Sequence, residues 1–393
     1  MLPPPAQPAA LQRIINPTSV GTFLAEYWER HPLILTGSGD DFDDLLTKAN
    51  IDELLSSAQI QPPNIRLMRA GSPVESPEYT SEMRQTEDAR PTVDVGKVAA
   101  QFNEGATIVV QGLHRWWYAL AVFCRQLEAT LGHPAQANAY LTPPSAQGLP
   151  LHHDTHDVFA LQLSGSKRWR IHPPTIALPL PYQWGESDEI PDEQAAFSLT
   201  LRKGDVLYLP RGWRHEAATS QDESFHLTIG IHAYTWMDAL RDALLFCDDE
   251  VVLRRAVPLN GVSDNNLLDL LAARLDPTDV ALRMRRRLVA TRWPILHRQL
   301  GQIRDLAHLT TDTLVQRRPT VIADLEVIDN RPTLRFEGKQ LVFPPEAGSA
   351  VRFCHRAAIP FLPADLEGLD VEGRTVLIHR LVLEGFLEVL ELR

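Results

Sequence analysis

The chain has 393 residues, of which 44% are apolar and 22% are charged, and its formal net charge is −12 at pH 7. This balance is typical of a folded globular protein, so a disordered or low-complexity chain is excluded. An acidic chain repels phosphate backbones, which disfavours a general nucleic-acid binder. The length allows two or three domains of the usual size.

The cysteines predict a reducing compartment. Cys124, Cys247 and Cys354 are far apart in sequence and odd in number, so neither a disulfide framework nor a CxxC zinc site is expected. The N-terminal segment lacks the apolar core of a signal peptide, and no run of about 18 apolar residues is present. We therefore expect a cytoplasmic protein that does not cross a membrane.

The N-terminal part of the chain predicts short helices and one apolar strand. After a Pro- and Ala-rich start, residues 23–37 combine a helical beginning with the strand-like end PLILTG. Residues 41–60 have helical periodicity, with Leu and Ile on one face. The stretch 62–92 is rich in Pro, Ser and Glu and predicts irregular structure.

The middle of the chain predicts a β-rich domain. ATIVVQGL is typical of a strand, and residues 115–132 are typical of an amphipathic helix that ends at Gly132. Residues 135–235 then contain many short strand-like segments that Pro and Gly separate. Such regular short strands predict a β-sandwich or a barrel.

The C-terminal part of the chain predicts helices and a small mixed module. Strand signals disappear from Trp236 to about Ile303, where Leu and Arg recur at helical spacing. Beyond this region we expect a helix over 309–318, a hairpin-like pair and a closing helix over 374–390, an order that fits a winged-helix-like module. The predicted domains are 1–235, 236–303 and 304–393.

The strongest functional signal is the string PLHHDTHDVFALQL, which RKGDVLYLPRGWRHEAA follows later in the chain. His152 and Asp154 are two residues apart, so on a strand they share one face. His215 comes directly after a glycine-punctuated strand in the second string. Two imidazoles and one carboxylate on neighbouring strands can occupy one face of an octahedral metal, the usual arrangement of non-haem Fe(II) oxygenases.

Other interpretations start from the same residues. A His-x-Asp pair arises by chance in many proteins, and His153 and His156 are equally typical of surface histidines. The same crowd of His and Asp also suits zinc or nickel. On residue types and spacing alone, the prediction is a metal-binding, cupin-like barrel.

The full motifs extend this prediction. The string H-H-D-x-x-D-V-F-x-L-Q-L-x-G-x-K-R-W-R, with G-D-V-L-Y-L-P-R-G-W-x-H and H-L-T-I-G, resembles the JmjC-type ribosomal oxygenases. These are cupin-fold protein hydroxylases that use Fe(II), 2-oxoglutarate and O₂. The resemblance implies an α+β protein: a double-stranded β-helix (cupin/JmjC) barrel with an N-terminal helical elaboration, followed by a helical dimerisation region and a C-terminal winged-helix-like module.

The resemblance also implies roles for individual residues. His152, Asp154 and His215 correspond to the iron ligands. Lys167, in SGSKRWR, corresponds to the basic residue that holds the distal carboxylate of 2-oxoglutarate, although a solvated strand lysine fits the local sequence too. Asn138, in QANAYLTPP, corresponds to a position that helps to hold the co-substrate.

Three further residues are candidates for the pocket or the substrate mouth. Tyr140 is predicted to face the pocket side of its strand, although a core aromatic fits it equally well. Trp213 precedes His215 by two residues, and a packing role is an equal alternative. Thr228 lies on a strand near the pocket, and the family often carries a small hydroxyl residue where Gly230 stands here.

One basic segment interrupts the acidic chain. Residues 283–298 hold six arginines and no acidic residue. Such a helix suits ribosomal RNA or an acidic partner, but a solvated face with salt bridges is the commoner case and is our default interpretation. The C-terminal segment has no basic recognition helix, so sequence-specific nucleic-acid binding is not expected.

The resulting prediction is an Fe(II)- and 2-oxoglutarate-dependent dioxygenase that hydroxylates a histidine or arginine of a ribosomal protein and forms a homodimer. One alternative is a hydroxylase of another peptide or of a small molecule. A second is a non-catalytic metal-binding cupin that serves as an interaction module, which has no use for Lys167 and Asn138 beside the triad. Demethylation is chemically possible but ranks below hydroxylation, because nothing in the chain resembles a histone-reading module.

Overall fold

The computed structural model describes residues 9–37, 40–57, 60–82, 91–183, 197–245, 250–256, 259, 269, 272–273 and 275–391. The chain divides into two compact units, Met1–Ala233 and Tyr234–Arg393. The first unit ends close to the predicted domain end at residue 235. The further division into 236–303 and 304–393 stays a prediction, and Cys247 lies outside the described residues.

The first unit contains short helices and a large set of strands. Its helices are α1 (Ala10–Ile15), α2 (Val20–Thr22, which a π-helical turn over Phe23–Tyr27 continues), α3 (Lys48–Ser57), α4 (Val95–Asn103) and α5 (Tyr118–Leu131). Its strands are β1 (Leu33–Leu35), β2 (Ile65–Arg69), β3 (Ser72–Pro73), β4 (Thr80–Glu82), β5 (Pro91–Val93), β6 (Thr107–Val110), β7 (Ala135–Thr142), β8 (His152–His153), β9 (Asp157–His172), β10 (Phe197–Arg202), β11 (Val206–Leu209), β12 (Arg214–Ala218) and β13 (Ser224–Ile231).

Two antiparallel sheets share the long strand β9. Its first half pairs with β11 and β13, in a sheet of order β1-β11-β9-β13-β7-β6-β2-β3. Its second half pairs with β10 and β12, and β12 in turn pairs with β8. This large antiparallel arrangement with flanking helices fits the predicted cupin/JmjC fold.

Gly165 explains how one strand serves both sheets. The sequence predicted short strands that Pro and Gly separate in this part of the chain, but β9 is continuous through Gly165. This glycine has φ +64°, and a Cβ atom at this position would lie 1.9 Å from the carbonyl oxygen of Glu223. Only glycine allows this backbone conformation and this close approach of β13, so the residue that looked like a strand break is the junction between the sheets.

Alternation along β13 separates the core from the site. Phe225, Leu227 and Ile229 are buried in the main apolar core of the unit. His226 and Thr228 lie between them and line a cavity. Because successive side chains of a strand point to opposite faces, the same strand supplies both core and site.

Three sequence predictions of secondary structure differ from the structure. The stretch 62–92 contains strands β2 to β5 among its described residues, with β2 paired to β6. The segment 309–318, predicted as a helix, contains the strand Leu314–Arg317, and the closing helix ends at Leu383 before a further strand. Short apolar runs carry no periodicity that separates helix from strand, so tertiary pairing decided these elements.

The second unit has its own sheets and core. Its helices are α6 (Trp236–Leu245), α7 (Pro277–Thr291), α8 (Gln299–Asp305), α9 (Gly348–Arg356) and α10 (Val371–Leu383). Its strands are β14 (Leu314–Arg317), β15 (Ala323–Ile328), β16 (Arg331–Phe336), β17 (Lys339–Val342) and β18 (Leu387–Glu391). β14 pairs with β18, and β15 to β17 form a meander over a core that includes Phe336 and Phe386.

The arginine-rich segment forms ion pairs along α7. Arg283 contacts Asp242 at 2.9 Å, and Arg285 contacts Asp324 at 2.6 Å. Arg286 contacts a second carboxylate of β15, that of Glu326. This is the salt-bridged helix face of the default interpretation.

Of the helices in the described ranges, none has the length and apolar content needed to cross a bilayer.

Candidate functional site

Strand pairing brings the three predicted metal ligands together. His215 on β12 lies directly opposite His152 on β8, and Asp154 follows β8. One ligand atom from each residue lies within 4.8 Å of the others. The His215 Nε2 atom is 3.6 Å from Asp154 Oδ2. The three groups can therefore bind one ion from one side and leave its other positions open.

Backbone carbonyls set the tautomers of both histidines. His152 Nδ1 is 2.8 Å from the Pro150 carbonyl oxygen, and His215 Nδ1 is 3.0 Å from that of Trp213. A carbonyl oxygen only accepts, so each Nδ1 carries the proton and donates it. Each Nε2 consequently presents its lone pair, as a metal-binding imidazole must.

The charges of the triad also suit a cation. Burial, helped by the neighbouring His152, lowers the pKa of His215 to about 4. Burial by itself raises the pKa of Asp154, but His156, His215 and His152 outweigh it, and the net shift is downward. At neutral pH the site therefore contains neutral imidazole and ionised carboxylate, the forms that bind a divalent metal.

His153 and His156 are not surface histidines, contrary to the alternative interpretation. His153 is buried, and its Nε2 contacts the Gln183 carbonyl oxygen at 3.1 Å. His156 lines the cavity and stacks on His232, with ring centroids 4.8 Å apart. A Cβ atom at Gly230 would lie 2.5 Å from the His156 ring, so the glycine at this position leaves room for that ring.

A cavity of about 410 Å³ lies beside the triad. This volume is in the range of small-molecule sites. Among the residues of its walls are Asn138, Tyr140, Lys167, Trp169, His226 and Thr228.

Lys167 lies in this cavity and not in solvent. It is only 4% exposed, and its Nζ atom donates to Thr142 Oγ1 at 2.9 Å. Burial lowers the pKa of Lys167 to about 7. No ion pair within the described residues includes it, and a buried ammonium without a carboxylate is costly. The environment of Lys167 therefore favours an anion in the cavity.

Asn138, Tyr140 and Thr228 also line the cavity, from adjacent strands. Asn138 Oδ1 accepts a hydrogen bond of 2.9 Å from the Gly112 N–H, and Thr228 is its partner in register. Tyr140 stacks on His226 with ring centroids 4.8 Å apart. The hydrogen bond from Gly112 holds the amide group of Asn138 in a defined orientation. Any direct contact of these residues with a ligand stays a prediction.

The structure places Trp213 in a different setting. Trp213 is not among the described residues that line the cavity. Its indole packs against an apolar cluster that includes Trp169 and Leu209. Its described contribution to the site is the backbone carbonyl that accepts from His215. A role of its side chain at the substrate mouth stays a prediction.

Among the cavity residues that sequence analysis did not assign are His226 and Arg66. His226 is buried and stands close to Lys167, and burial together with this neighbouring charge holds the pKa of His226 well below its usual range. It is the first residue of HLTIG, a string that carried the resemblance, but of this string only Thr228 was named as a candidate for the pocket. Arg66, which lines the cavity together with Tyr140, lies in the stretch predicted to be irregular. Its strand β2 became visible only through pairing with β6.

Comparisons with known proteins place this geometry in a class. Residues 115–239 match the family model of the JmjC domain. The fold, the site and this match thus define a JmjC domain in the first unit, in agreement with the resemblance seen in the sequence.

Relatives with curated names carry related descriptions. "Ribosomal oxygenase 2" of Rattus norvegicus is 30% identical, over 63% of this chain and 54% of the relative. "Bifunctional lysine-specific demethylase and histidyl-hydroxylase NO66" of Drosophila pseudoobscura pseudoobscura is 28% identical, over 68% of this chain and 30% of the relative. The chain spans between about a third and about a half of the length of these relatives.

Solved structures show the same fold. Escherichia coli ribosomal oxygenase YcfD has a TM-score of 0.54 and 17% identity, and the match covers 95% of this chain and 98% of that one. A YcfD structure in complex with cobalt and 2-oxoglutarate has a TM-score of 0.55, with 15% identity. At this identity the likeness establishes the fold alone.

Proposed function

We propose that the chain is an Fe(II)- and 2-oxoglutarate-dependent oxygenase that hydroxylates a protein side chain. The observation that carries the proposal is the juxtaposition of His152, Asp154 and His215 with a cavity that contains the buried Lys167. The printed descriptions of the relatives, and the cobalt and 2-oxoglutarate bound to YcfD, support it.

The donor set fits Fe(II). Two neutral imidazoles and one carboxylate on one side of an ion are the ligands of non-haem iron oxygenases. The carbonyls of Pro150 and Trp213 hold the two rings in the metal-binding tautomer. His152, Asp154 and His215 are thus the residues that would hold the iron.

The cavity fits 2-oxoglutarate. Lys167 is a buried cation that would bind the distal carboxylate, and Asn138 lines the same cavity as this lysine and the triad. When bound together, Fe(II) and 2-oxoglutarate use O₂ to insert an oxygen atom into a C–H bond. The protein's part is to orient and to shield. Lys167 sets the direction of the co-substrate, and the rings of Tyr140, Trp169 and His226 exclude water from the wall.

For the substrate, we propose a histidine or arginine side chain of a ribosomal protein. The names of the relatives supply the support for this class. The test is to incubate the protein with Fe(II), 2-oxoglutarate and isolated ribosomal proteins, and to search by mass spectrometry for the gain of one oxygen atom. Turnover of another peptide or of a small molecule, with no oxidised ribosomal protein, would contradict this substrate class and favour a hydroxylase of that other substrate.

The site itself can be tested without a known substrate. Fe(II) is added anaerobically to the pure protein, 2-oxoglutarate is titrated in, and the visible charge-transfer band of the chelate is recorded. We expect a saturable band that His215→Ala abolishes. Folded, metal-loaded protein that shows no band would contradict the oxygenase proposal and favour a non-catalytic metal-binding cupin.

The second unit supports a proposed homodimer. Trp236, Leu240 and Leu244 recur every four residues along α6, so they share one face, and their exposed fractions are 63%, 39% and 53%. Burial of such a face against a second copy would remove apolar surface from water.

We further propose that residues 304–393 serve as the winged-helix-like module and that the protein acts in the cytoplasm, where the buried, free thiols of Cys124 and Cys354 stay reduced.

A further inference from the structure

A single turn between β11 and β12, residues 210–213, contacts both segments that carry the metal ligands. The Gly212 N–H donates to the Asp154 carbonyl oxygen at 2.9 Å. The Trp213 carbonyl accepts from His215 Nδ1 at 3.0 Å. The position of this turn therefore sets the relation between the His152–Asp154 segment and His215.

Arg211 fastens the turn to the beginning of β9. Its Nη1 donates to Asp157 Oδ2 at 2.9 Å and also to Glu29, while its backbone N–H donates to Asp157 Oδ1 at 3.4 Å. Asp157 is fully buried, and Arg211 is only 7% exposed. Asp157 follows Asp154 by three residues. The Arg211–Asp157 ion pair is therefore a second contact, beside that of Gly212, between the turn and the segment that carries His152 and Asp154.

Tyr208 completes a hydrogen-bonded cluster around this pair. Its hydroxyl donates to Asp157 Oδ1 at 2.9 Å and accepts from the Glu29 N–H at 2.9 Å. We call Glu29, Asp157, Tyr208 and Arg211 the Arg211 cluster. None of the four is among the described residues that line the cavity, so the cluster is separate from the co-substrate pocket.

We propose that Arg211 and Asp157 are positioning residues that hold the triad in its metal-binding arrangement and thereby set metal affinity. This inference rests on the proposed metal site. Charge-assisted, buried hydrogen bonds are directional, so they restrict how far the turn can move. Outer partners of metal ligands typically contribute about 10- to 100-fold to metal affinity. Here the partner acts one step further out, through the turn.

The test measures Co(II) affinity by the absorption of bound cobalt, together with the melting temperature. Asp157→Asn and Arg211→Met should each weaken Co(II) binding by about 10-fold or more. Arg211→Lys keeps the positive charge and should recover part of the affinity. Recovery by this variant distinguishes positioning by the ion pair from a general loss of packing.

A second buried ion pair in the same unit supplies the matched control. Arg125 and Glu128 on α5 are 3.0 Å apart and almost fully buried, and neither lines the cavity. Glu128→Gln should lower the melting temperature, as loss of a buried charge partner does, but leave Co(II) affinity unchanged. Equal weakening of Co(II) binding in Glu128→Gln would overturn the inference, because stability alone would then explain the effect.

Further variants keep the inference open to refutation if a single charge change prevents folding. The double variant Asp157→Asn/Arg211→Met removes both charges, and such replacements often preserve stability. Tyr208→Phe removes only the hydroxyl that contacts Asp157, and should weaken Co(II) binding by a smaller factor. Wild-type affinity in these folded variants overturns the inference and leaves the proposed function intact. Absence of Co(II) binding by the wild-type protein overturns both.

Discussion

At the scale of single residues, Lys167 provides the most direct test of the co-substrate site. Lys167→Met should raise the KM for 2-oxoglutarate by about ten-fold or more, because a charge-assisted hydrogen bond contributes about 1.5–3 kcal/mol. Metal affinity should be unchanged, since the metal ligands are other residues. The measurement is the rate at which the Fe(II)-loaded protein converts 2-oxoglutarate to succinate at a series of 2-oxoglutarate concentrations. Lys203→Met, at an exposed lysine, is the control, and equal KM values in both variants would contradict the prediction.

His226 predicts a pH dependence of stability. Its pKa in the folded protein is well below 6.5, because of burial and then of Lys167, while the unfolded chain has the ordinary value. Between these two pKa values the unfolded state binds more protons, so the free energy of unfolding rises with pH and falls on acidification below about 6.5.

The His226→Phe variant measures this effect. Phe keeps the ring that stacks on Tyr140 but does not titrate. In metal-free protein, the unfolding free energy of the variant should change less steeply with pH than that of the wild type. The difference in slope should be up to about 1.4 kcal/mol per pH unit between about pH 6 and about pH 5. Urea unfolding at several pH values provides the slope, and the exposed His379→Asn is the control. An unaltered slope in His226→Phe would contradict the prediction, because it would show that folding does not lower the pKa of His226.

The sequence identified the triad residues because their evidence is local. His152 and Asp154 are two residues apart, and strand geometry alone places them on one face. His226 and Arg66 could not be assigned in the same way, because a lone histidine or arginine on a strand has many possible environments. Only the neighbours Lys167 and Tyr140, which come from other strands, show that these two side chains belong to the cavity.

At the scale of elements, the junction in β9 yields a prediction of stability. Gly165→Ala should destabilise the protein by at least about 2 kcal/mol, because it adds a Cβ where φ is +64° and where the Glu223 carbonyl leaves no space. Gly21→Ala is the matched control in the same unit. This glycine is exposed, helical and uncrowded, so alanine at this position should stabilise the protein by about 0.5–1 kcal/mol. Denaturant unfolding compares the two, and equal effects would contradict the assignment of Gly165 as a steric junction.

Helices with clear periodicity were predicted well, and short strands were not. The helix predicted over 115–132 corresponds to α5 (Tyr118–Leu131), and Gly132 after it has the left-handed conformation expected of a helix terminator. Residues 314–317 instead became a strand because β18, far away in sequence, pairs with them. Long-range pairing is invisible in a local window, which is why these elements were missed.

At the scale of the whole molecule, the homodimer is the testable property. Leu240→Asp combined with Leu244→Asp puts two charges on the exposed apolar face of α6. If this face is the dimer contact, the mass measured by light scattering should fall from two chains to one, because charges cannot be buried there without partners. Arg241→Asp, on the same helix, is a control for the added charge. A monomeric wild-type protein would contradict the proposal.

The sequence by itself determined the class of protein, the β-rich first unit and the candidate metal ligands, because motif spacing and strand periodicity are local properties of the chain. The tertiary structure decided which side chains surround the site. Lys167 is buried on the half of β9 that pairs with β10, with no carboxylate partner among the described residues, and Arg211 reaches Asp157 because the turn after β11 lies against the start of β9. Both depend on contacts between residues far apart in sequence, which no local pattern encodes.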